Sequence, residues 1–186
     1  MGRTGVGRAH APPPSGWSTA GTVAAYAAIV AFAYALVSLY WAVGGHGLLS
    51  TVGGYVEHFA RQGGALPVLV ALAAVVAKVA GGLLALALVR PWGRVVPRGW
   101  LLLSSAGASA LLLVYGGLAV AAAALVLSGV IHPSAGVDRT ALRWHLGVWD
   151  LWFLVWGILL ALATAGYWRQ AVTGTPRAKP EHGIHR

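Results

Sequence analysis

Two side chains of opposite charge stand within long apolar stretches of this sequence. Lys78 lies at the centre of a stretch from residue 67 to 90, and Asp150 lies near the start of another, from residue 145 to 168. A lone charge at membrane depth costs at least about 2.5 kcal/mol, so each needs a partner or a polar cavity. Because the long stem of Lys78 can reach outward, we predict a direct Lys78–Asp150 pair inside a helix bundle. Such a pair serves either structure, which we favour, or ion and proton transport.

Two tyrosines complete the intramembrane polar site that we predict around these charges. Tyr34 shares one helical face with Ser38 and Trp41, at spacings of four and three residues. Ordinary aromatic packing is the favoured explanation for Tyr34, and a hydroxyl directed into the bundle is the alternative. Tyr115 lies near the middle of the third apolar stretch.

A candidate ligand face lies on the fourth apolar stretch. Its members recur at spacings of three and four residues: His145, Trp149, Trp152 and Trp156. Trp149 and Trp152 fit an interfacial aromatic belt, whereas Trp156 lies too deep for one. The functional interpretation is a flat lipophilic ligand, such as a quinone or an isoprenoid, held against the indoles. Helix packing or contact with a partner is the interpretation we favour.

Histidines offer a further candidate site, since imidazole is a common ligand of metals and haem. His46 and His132 follow the ends of the first and third apolar stretches, so a metal or redox site joining them is an alternative. No HxxxH or CxxCH spacing accompanies them, and we favour histidines without a ligand.

Several classes of chemistry find no support in the sequence. The chain has no cysteine, which excludes disulfides, thiolate catalysis and iron–sulfur ligation by its own residues. Nucleotide-binding loops and hydrolase motifs are absent as well. The sequence therefore assigns no cofactor, and we do not expect an enzyme.

The elements that must position these residues are apolar helices. The chain is 58% hydrophobic and 9% charged, which is typical of a membrane protein. A helix of about 20 apolar residues crosses a hydrocarbon core of about 30 Å. We predict an all-α integral membrane protein, a four-helix transmembrane bundle formed by residues 20–168. Its spans are expected at about 20–43, 67–90, 100–131 and 145–168.

The third predicted span is longer than an upright crossing requires. Tilt, a bend near Gly116-Gly117, or projection beyond the membrane would absorb the excess length. The two loops on the side opposite the termini, residues 44–66 and 134–144, are expected to form a small cap. The first of them is predicted to contain a short interfacial helix from about residue 48 to 61.

Small residues mark the side of the second span that should face the bundle. One helical stripe combines small residues with the lysine: Ala71, Ala74, Lys78, Gly81, Gly82 and Ala85. The opposite side is bulky: Leu69, Leu72, Val76, Val79, Leu83 and Leu86. Because small residues let a neighbouring helix approach closely, we expect the stripe to face protein and the bulky side to face lipid.

The basic residues indicate the orientation. Nine Lys and Arg residues fall in the two terminal segments and the loop between the second and third spans, whereas three fall in the other loops. The positive-inside rule predicts a multi-pass protein of the cell inner (plasma) membrane with both termini cytoplasmic. Residues 1–19 and 169–186 are predicted to be disordered basic tails.

The same placement of charge bears on the partners of the chain. The formal charge of +9 lies beside apolar spans, so it indicates contact with anionic lipid rather than nucleic acid. The lipid bilayer is the expected partner, and a protein partner or a homo-oligomer is left open.

Two short motifs resemble those of a known family. They are LYWAVGG at residues 39–45 and Trp149-Asp150, which opens an apolar span carrying Gly157 and Leu160. The chain resembles a family of small four-span bacterial membrane proteins classed as a domain of unknown function, over most of residues 20–168. The family pattern has a proline a few residues after the Trp-Asp pair, where this chain has Val155 and Trp156. The resemblance implies a four-helix bundle in a bacterial inner membrane and implies no activity.

The leading functional prediction is a non-enzymatic accessory or interaction subunit, or a binder of a lipophilic ligand. It rests on intramembrane polar groups that lack a catalytic set. A small ion- or proton-coupled transporter using Lys78 and Asp150 is the alternative. A metal or redox protein using the histidines of the cap is a further alternative.

Overall fold

The chain is built from helices. Residues 19–133 and 137–173 are described by a computed structural model, and within these ranges no strand occurs. The α-helices are α1 (Thr19–Ala42), α2 (Leu49–Val52), α3 (Gly54–Arg61), α4 (Ala65–Ala87), α5 (Arg98–Leu127), α6 (Arg139–Trp144) and α7 (Asp150–Thr173). A 3-10 helix (Pro91–Val95) joins α4 to α5, and a π-helical turn (His145–Trp149) joins α6 to α7.

Four helical segments are long and apolar enough to cross a membrane. They are α1, α4, α5 and the continuous segment Arg139–Val172. The prediction of an all-α four-helix membrane bundle is confirmed, whereas the orientation of the termini stays a prediction. Of the two predicted tails, residues 1–18 and 174–186 lie outside the described residues.

The helix ends differ most from the predicted spans in three places. Helix α5 ends at Leu127, earlier than residue 131, and α7 continues helically past residue 168 to Thr173. The fourth span begins at Arg139, because Asp138 caps α6 by accepting bonds from the backbone N–H groups of Thr140 (2.8 Å) and Ala141 (3.1 Å). An N-cap aspartate thus starts the helix within the predicted loop.

The helices of the bundle pack against one another to different extents. Helix α1 packs along both α4 and α7, and α5 packs along α7, whereas α4 contacts α5 and α7 only sparsely. Glycine allows a close approach of α5 to α7, since a side chain at Gly116 would meet the backbone of Leu154 at 2.6 Å. Helix α5 is continuous through Gly116-Gly117, so this glycine serves helix packing.

Burial along α4 follows the predicted division into two sides. Gly82 and Ala85 are buried, and the other members of the small-residue stripe are partly buried. On the bulky side, four of the six residues are exposed to what would be lipid, namely Leu69, Leu72, Val76 and Leu83, whereas Val79 and Leu86 are partly buried. Periodicity alone therefore identified the face of α4 that carries Lys78.

The bundle has two chemically different ends. At one, which we call the basic end, the start of α5 meets the end of α7, with the Arg98 guanidinium 5.8 Å from the Tyr167 ring centroid. The start of α1 meets α7 there too, at Ala20 and Gly166. The opposite end, which we call the cap end, carries α2, α3 and α6.

Candidate functional site

A cavity of about 520 Å³ lies in the cap half of the bundle. Helices α1, α4 and α7 form its walls, and the segment containing α2 and α3 covers it. All four residues of the predicted intramembrane polar site line this cavity: Tyr34, Lys78, Tyr115 and Asp150. Residues far apart in sequence therefore meet at one place.

Lys78 reaches into the cavity from α4. Its Nζ donates a hydrogen bond to Ser38 Oγ at 2.9 Å and lies 4.5 Å from the centroid of the Tyr34 ring, within the range of a cation–π contact. An ammonium group has three N–H donors, and Ser38 takes one. Among the described residues no other hydrogen-bond acceptor engages Lys78, so two donors remain for a ligand or water.

The predicted direct pair of Lys78 with Asp150 is wrong. No ion pair joins them in the part of the chain that the structure describes; Lys78 bonds Ser38, and Asp150 bonds His145. The physical reason is the order of packing. Helix α4 lies along α1, which offers the Ser38 oxygen, and contacts α7 only sparsely.

Asp150 is paired with His145 from the same helical segment. Asp150 is a buried residue, at 5% exposure, and its Oδ2 lies 3.1 Å from His145 Nδ1. His145 Nε2 lies 2.9 Å from the backbone carbonyl oxygen of Val52 in α2. Because a carbonyl only accepts, we assign the Nε2 proton to this bond. The contact between Nδ1 and Oδ2 then requires one proton shared by the two groups.

The π turn is what brings His145 and Asp150 onto one face. In an α-helix, residues five apart point about 140° away from each other. The wider π turn closes a hydrogen bond from the Asp150 backbone N–H to the His145 carbonyl and brings the two side chains together. A prediction from helical periodicity assumes a regular α-helix, so it does not place the side chains of His145 and Asp150 side by side.

Aromatic side chains form one wall of the cavity. The Tyr34 ring stacks on Trp152 with centroids 4.9 Å apart, and it packs against Phe153 at the same distance. The Tyr115 ring meets Phe153 edge-on at 5.0 Å. Tyr34 thus packs among aromatic rings and also lines the cavity, and a hydroxyl directed into the bundle stays a prediction.

The predicted ligand face on the fourth span is divided by the structure. His145 and Trp149 line the cavity. Trp152 lies behind Tyr34 and donates to the Val30 carbonyl oxygen at 3.0 Å. Trp156 is buried deeper, against Gly81, and its Nε1 has no hydrogen-bond partner within the described ranges.

The two histidines considered for a metal are treated differently by the fold. His46 lines the rim of the cavity, whereas His132, beyond the end of α5, does not. Over residues 19–133 and 137–173, no three His, Cys, Asp or Glu side chains are grouped so as to hold a metal ion.

Two hydrogen bonds that the sequence did not suggest attach the cap to the bundle. Besides the bond from His145 to Val52, the Trp149 Nε1 donates to Thr51 Oγ1 at 3.2 Å. Both bonds join α2 to the segment before α7. These bonds could not be predicted from the sequence, because a helix of only four residues shows no periodic pattern.

The YWAVGG motif shapes the turn that leads from α1 into the cap. Trp41 Nε1 donates to the carbonyl oxygen of Gly47 at 2.9 Å, and the backbone N–H of Gly47 donates to the Tyr40 hydroxyl at 3.1 Å. Gly45 packs on the Tyr40 ring, where a side chain would overlap it. This motif therefore has a structural role at the rim of the cavity.

The exposed lining of the cavity falls in two places. One is the cap, where exposed His46 and the Arg61–Glu57 pair (2.9 Å) stand at the rim. The other is the side between α4 and α5, where Val70 and Tyr115 are 50% and 52% exposed. Toward the basic end the cavity is closed, since side chains at Gly81 and Gly82 would overlap Trp156 and Phe32.

Comparisons with known proteins give one finding. A family model described as "Protein of unknown function (DUF3995)" matches residues 31–160. A search of curated proteins and a search of solved structures returned no match. Every residue that lines the cavity, from Tyr34 to Phe153, lies within the matched segment.

Proposed function

The chain belongs to this family, DUF3995, and from that premise we propose that it is a non-enzymatic membrane protein that binds a lipophilic ligand in the cavity at its cap end. The observation that carries the proposal is the composition of the cavity. Apolar and aromatic side chains predominate in its lining, and a few polar groups converge at its deep end. Binding sites for small molecules typically combine these features, at volumes of about 300–1,000 Å³.

The side opening supports a ligand that arrives from the bilayer. Val70 of α4 lines the cavity and is 50% exposed, and Tyr115 of α5 lines it as well and is 52% exposed. In a membrane, this opening faces hydrocarbon, while the cap opening faces water. An amphipathic molecule could place its apolar part through the side opening and its polar part near Lys78.

The closed floor favours binding over transport. A transport pathway must reach both ends of the bundle, yet Trp156 on Gly81 and Phe32 on Gly82 fill the space below Lys78. Lys78 and Asp150 also have separate partners. The ion- or proton-coupled transporter and the metal or redox protein therefore remain alternatives without a supporting observation.

We propose further that the basic end is cytoplasmic and that the protein resides in the cell inner membrane. Arg90, Arg94 and Arg98 stand at this end, and the two terminal segments add six more basic residues. Positive charge is retained on the cytoplasmic side during insertion. A C-terminal reporter that is active only in the cytoplasm tests this; activity only on the outer side would reverse the orientation.

Native mass spectrometry of the full chain, extracted gently from its own membranes, tests the binding function. We expect one bound lipophilic molecule per chain. The variant Ala74→Phe should lose it, because Ala74 lines the cavity. The matched control Ala73→Phe should retain it, since Ala73 is exposed on the same helix and does not line the cavity.

Two outcomes would contradict the proposal. A bound molecule that survives Ala74→Phe as well as Ala73→Phe would lie on the outer surface. A stoichiometric complex with a second protein, with no small molecule bound to either variant or to the unmodified chain, would favour the accessory-subunit alternative.

A further inference from the structure

We propose that the ligand is an amphiphile whose head is a single carboxylate, held by the ammonium group of Lys78. This inference rests on the proposed binding function and names its ligand class. It follows from the balance of charge around the cavity, taken over every charged or titratable side chain that lines it.

The pair formed by His145 and Asp150 contributes no net charge. The Nε2 proton of His145 is committed to the Val52 carbonyl, 2.9 Å away, and one more proton lies between Nδ1 and Oδ2, which are 3.1 Å apart. If Nδ1 holds that proton, an imidazolium faces a carboxylate. If Oδ2 holds it, a neutral imidazole faces a carboxylic acid. The sum is zero in both cases.

The remaining titratable groups at the cavity contribute no net charge at its deep end either. Arg61 at the rim is compensated by Glu57, with Nη2 and Oε1 2.9 Å apart. His46 is a rim histidine exposed to solvent, where water and salt screen any charge it carries from the deep end of the cavity. The phenols of Tyr34 and Tyr115 are neutral at pH 7.

Lys78 is therefore the uncompensated charge of the cavity. Its ammonium rests on the electron-rich face of the Tyr34 ring and on Ser38 Oγ, neither of which carries a charge. A ligand with one negative oxygen head would neutralise it and accept its two remaining N–H donors. A neutral head, such as a quinone carbonyl, would leave the positive charge unbalanced in a site open to hydrocarbon.

The shape of the cavity suits a single chain attached to that head. Lys78 lies at the deep end, about 20 Å along α4 from Ala65, and the exposed Val70 lies nearer the cap. A carboxylate at Lys78 can therefore extend an apolar chain past Val70 and out between α4 and α5.

The test compares three probes of equal chain length: a long-chain fatty acid, the corresponding alcohol and the corresponding alkyl phosphate. Binding to the full chain is measured by its tryptophan fluorescence in nanodiscs of zwitterionic lipid, with Ala74→Phe as the reference for partition into lipid. We expect the acid to bind at least about tenfold more tightly than the alcohol. Lys78→Met should remove this preference, and Lys78→Arg should keep it.

A further variant for the same binding measurement is Asp150→Asn, which does not alter Lys78. Because the His145–Asp150 pair is already neutral, this variant should keep the same preference for acid over alcohol. A marked gain in preference would overturn the inference, since it would mean that the Asp150 charge had opposed the acid.

The other outcomes separate this inference from the proposed function. Equal binding of acid and alcohol, both lost in Ala74→Phe, would overturn the carboxylate head and leave the lipophilic site intact. Tighter binding of the phosphate than of the acid would overturn the inference that the head of the ligand carries a single negative charge. Binding of no probe above the Ala74→Phe reference would overturn the lipophilic site and the inference together.

Discussion

The two halves of the bundle use the same helices in different ways. In the basic half, α1 presents small residues to its neighbours, and Ala24, Ala27 and Ala31 are fully buried. In the cap half the same face of α1 carries Tyr34 and Ser38, which hold α4 and α7 apart around a cavity. Residue size along one helix thus decides where the bundle closes and where it opens.

The two halves also differ in where their polar side chains find hydrogen-bond partners. Buried hydroxyls of the basic half bond within their own helix, as Ser109 does to the Ser105 carbonyl (2.6 Å) and Thr164 to the Leu160 carbonyl (2.7 Å). In the cap half, polar groups bond across elements, as Lys78 does to Ser38. Bonds within one helix serve that helix alone, whereas bonds across elements fix the shape of a site.

The largest expected contrast comes from one substitution made in each half. Ala27→Leu should lower the free energy of unfolding by about 3 kcal/mol, because the added atoms have no space between packed helices. Ala74→Leu projects into the cavity and should change it by less than about 0.5 kcal/mol. Reversible unfolding in mixed micelles measures both, and equal losses would show the two halves to be equally tight.

Removing the histidine of the cap should have the next largest effect. His145→Phe leaves the buried Asp150 carboxyl without its partner and frees Val52, at an expected cost of about 1–3 kcal/mol. Asp150→Asn should cost less, since the new amide can donate to Nδ1. The same unfolding measurement compares them, and a greater loss for the asparagine variant would contradict the proton assignment.

A serine removed from each half should also give unequal effects. Ser38→Ala deprives Lys78 of its oxygen and should cost about 1–2 kcal/mol. Ser109→Ala removes a bond within one helix, where the backbone remains paired, and should cost less than about 1 kcal/mol. Thermal unfolding of both variants checks the order; a larger loss at Ser109 would reverse the comparison.

The smallest expected effect is the coupling between Lys78 and Asp150. Because these side chains have separate partners, losses from Lys78→Met and Asp150→Asn should add to within about 0.5 kcal/mol in a double-mutant cycle. The pair His145 and Asp150, tested as the control with His145→Phe, should instead show a coupling well above that value. Strong coupling of Lys78 to Asp150 would restore the direct pair.

The sequence predicted the fold and the faces of the helices because both depend on local periodicity. The stripe containing Ala74, Lys78 and Gly82 was identified correctly for this reason, and the residues of the polar site do line one cavity. The choice of partner was not predictable in the same way. Whether Lys78 meets Ser38 or Asp150 depends on which helices pack together, and spacing within one helix carries no information on that.

Two features of the fourth span were not predicted, and each has a specific cause. The early start of the fourth span at Arg139 had a readable signal, since Asp138 stands two residues before Thr140, in the position of an N-cap. The π turn had none, because it is a departure from the regular helix that every periodicity estimate assumes. The pairing of His145 with Asp150 was hidden by that departure.

The π turn also sets a condition on the length of the chain. A π turn holds one residue more than the α-helical turn it replaces. Deleting Gly147, where an added side chain would meet no other part of the described chain within 4 Å, would return the segment to a regular helix and rotate α6 by about 100° relative to α7. The attachment of the cap is therefore sensitive to a single-residue deletion that removes no side chain, so that the count of residues before Asp150 matters as much as their identity.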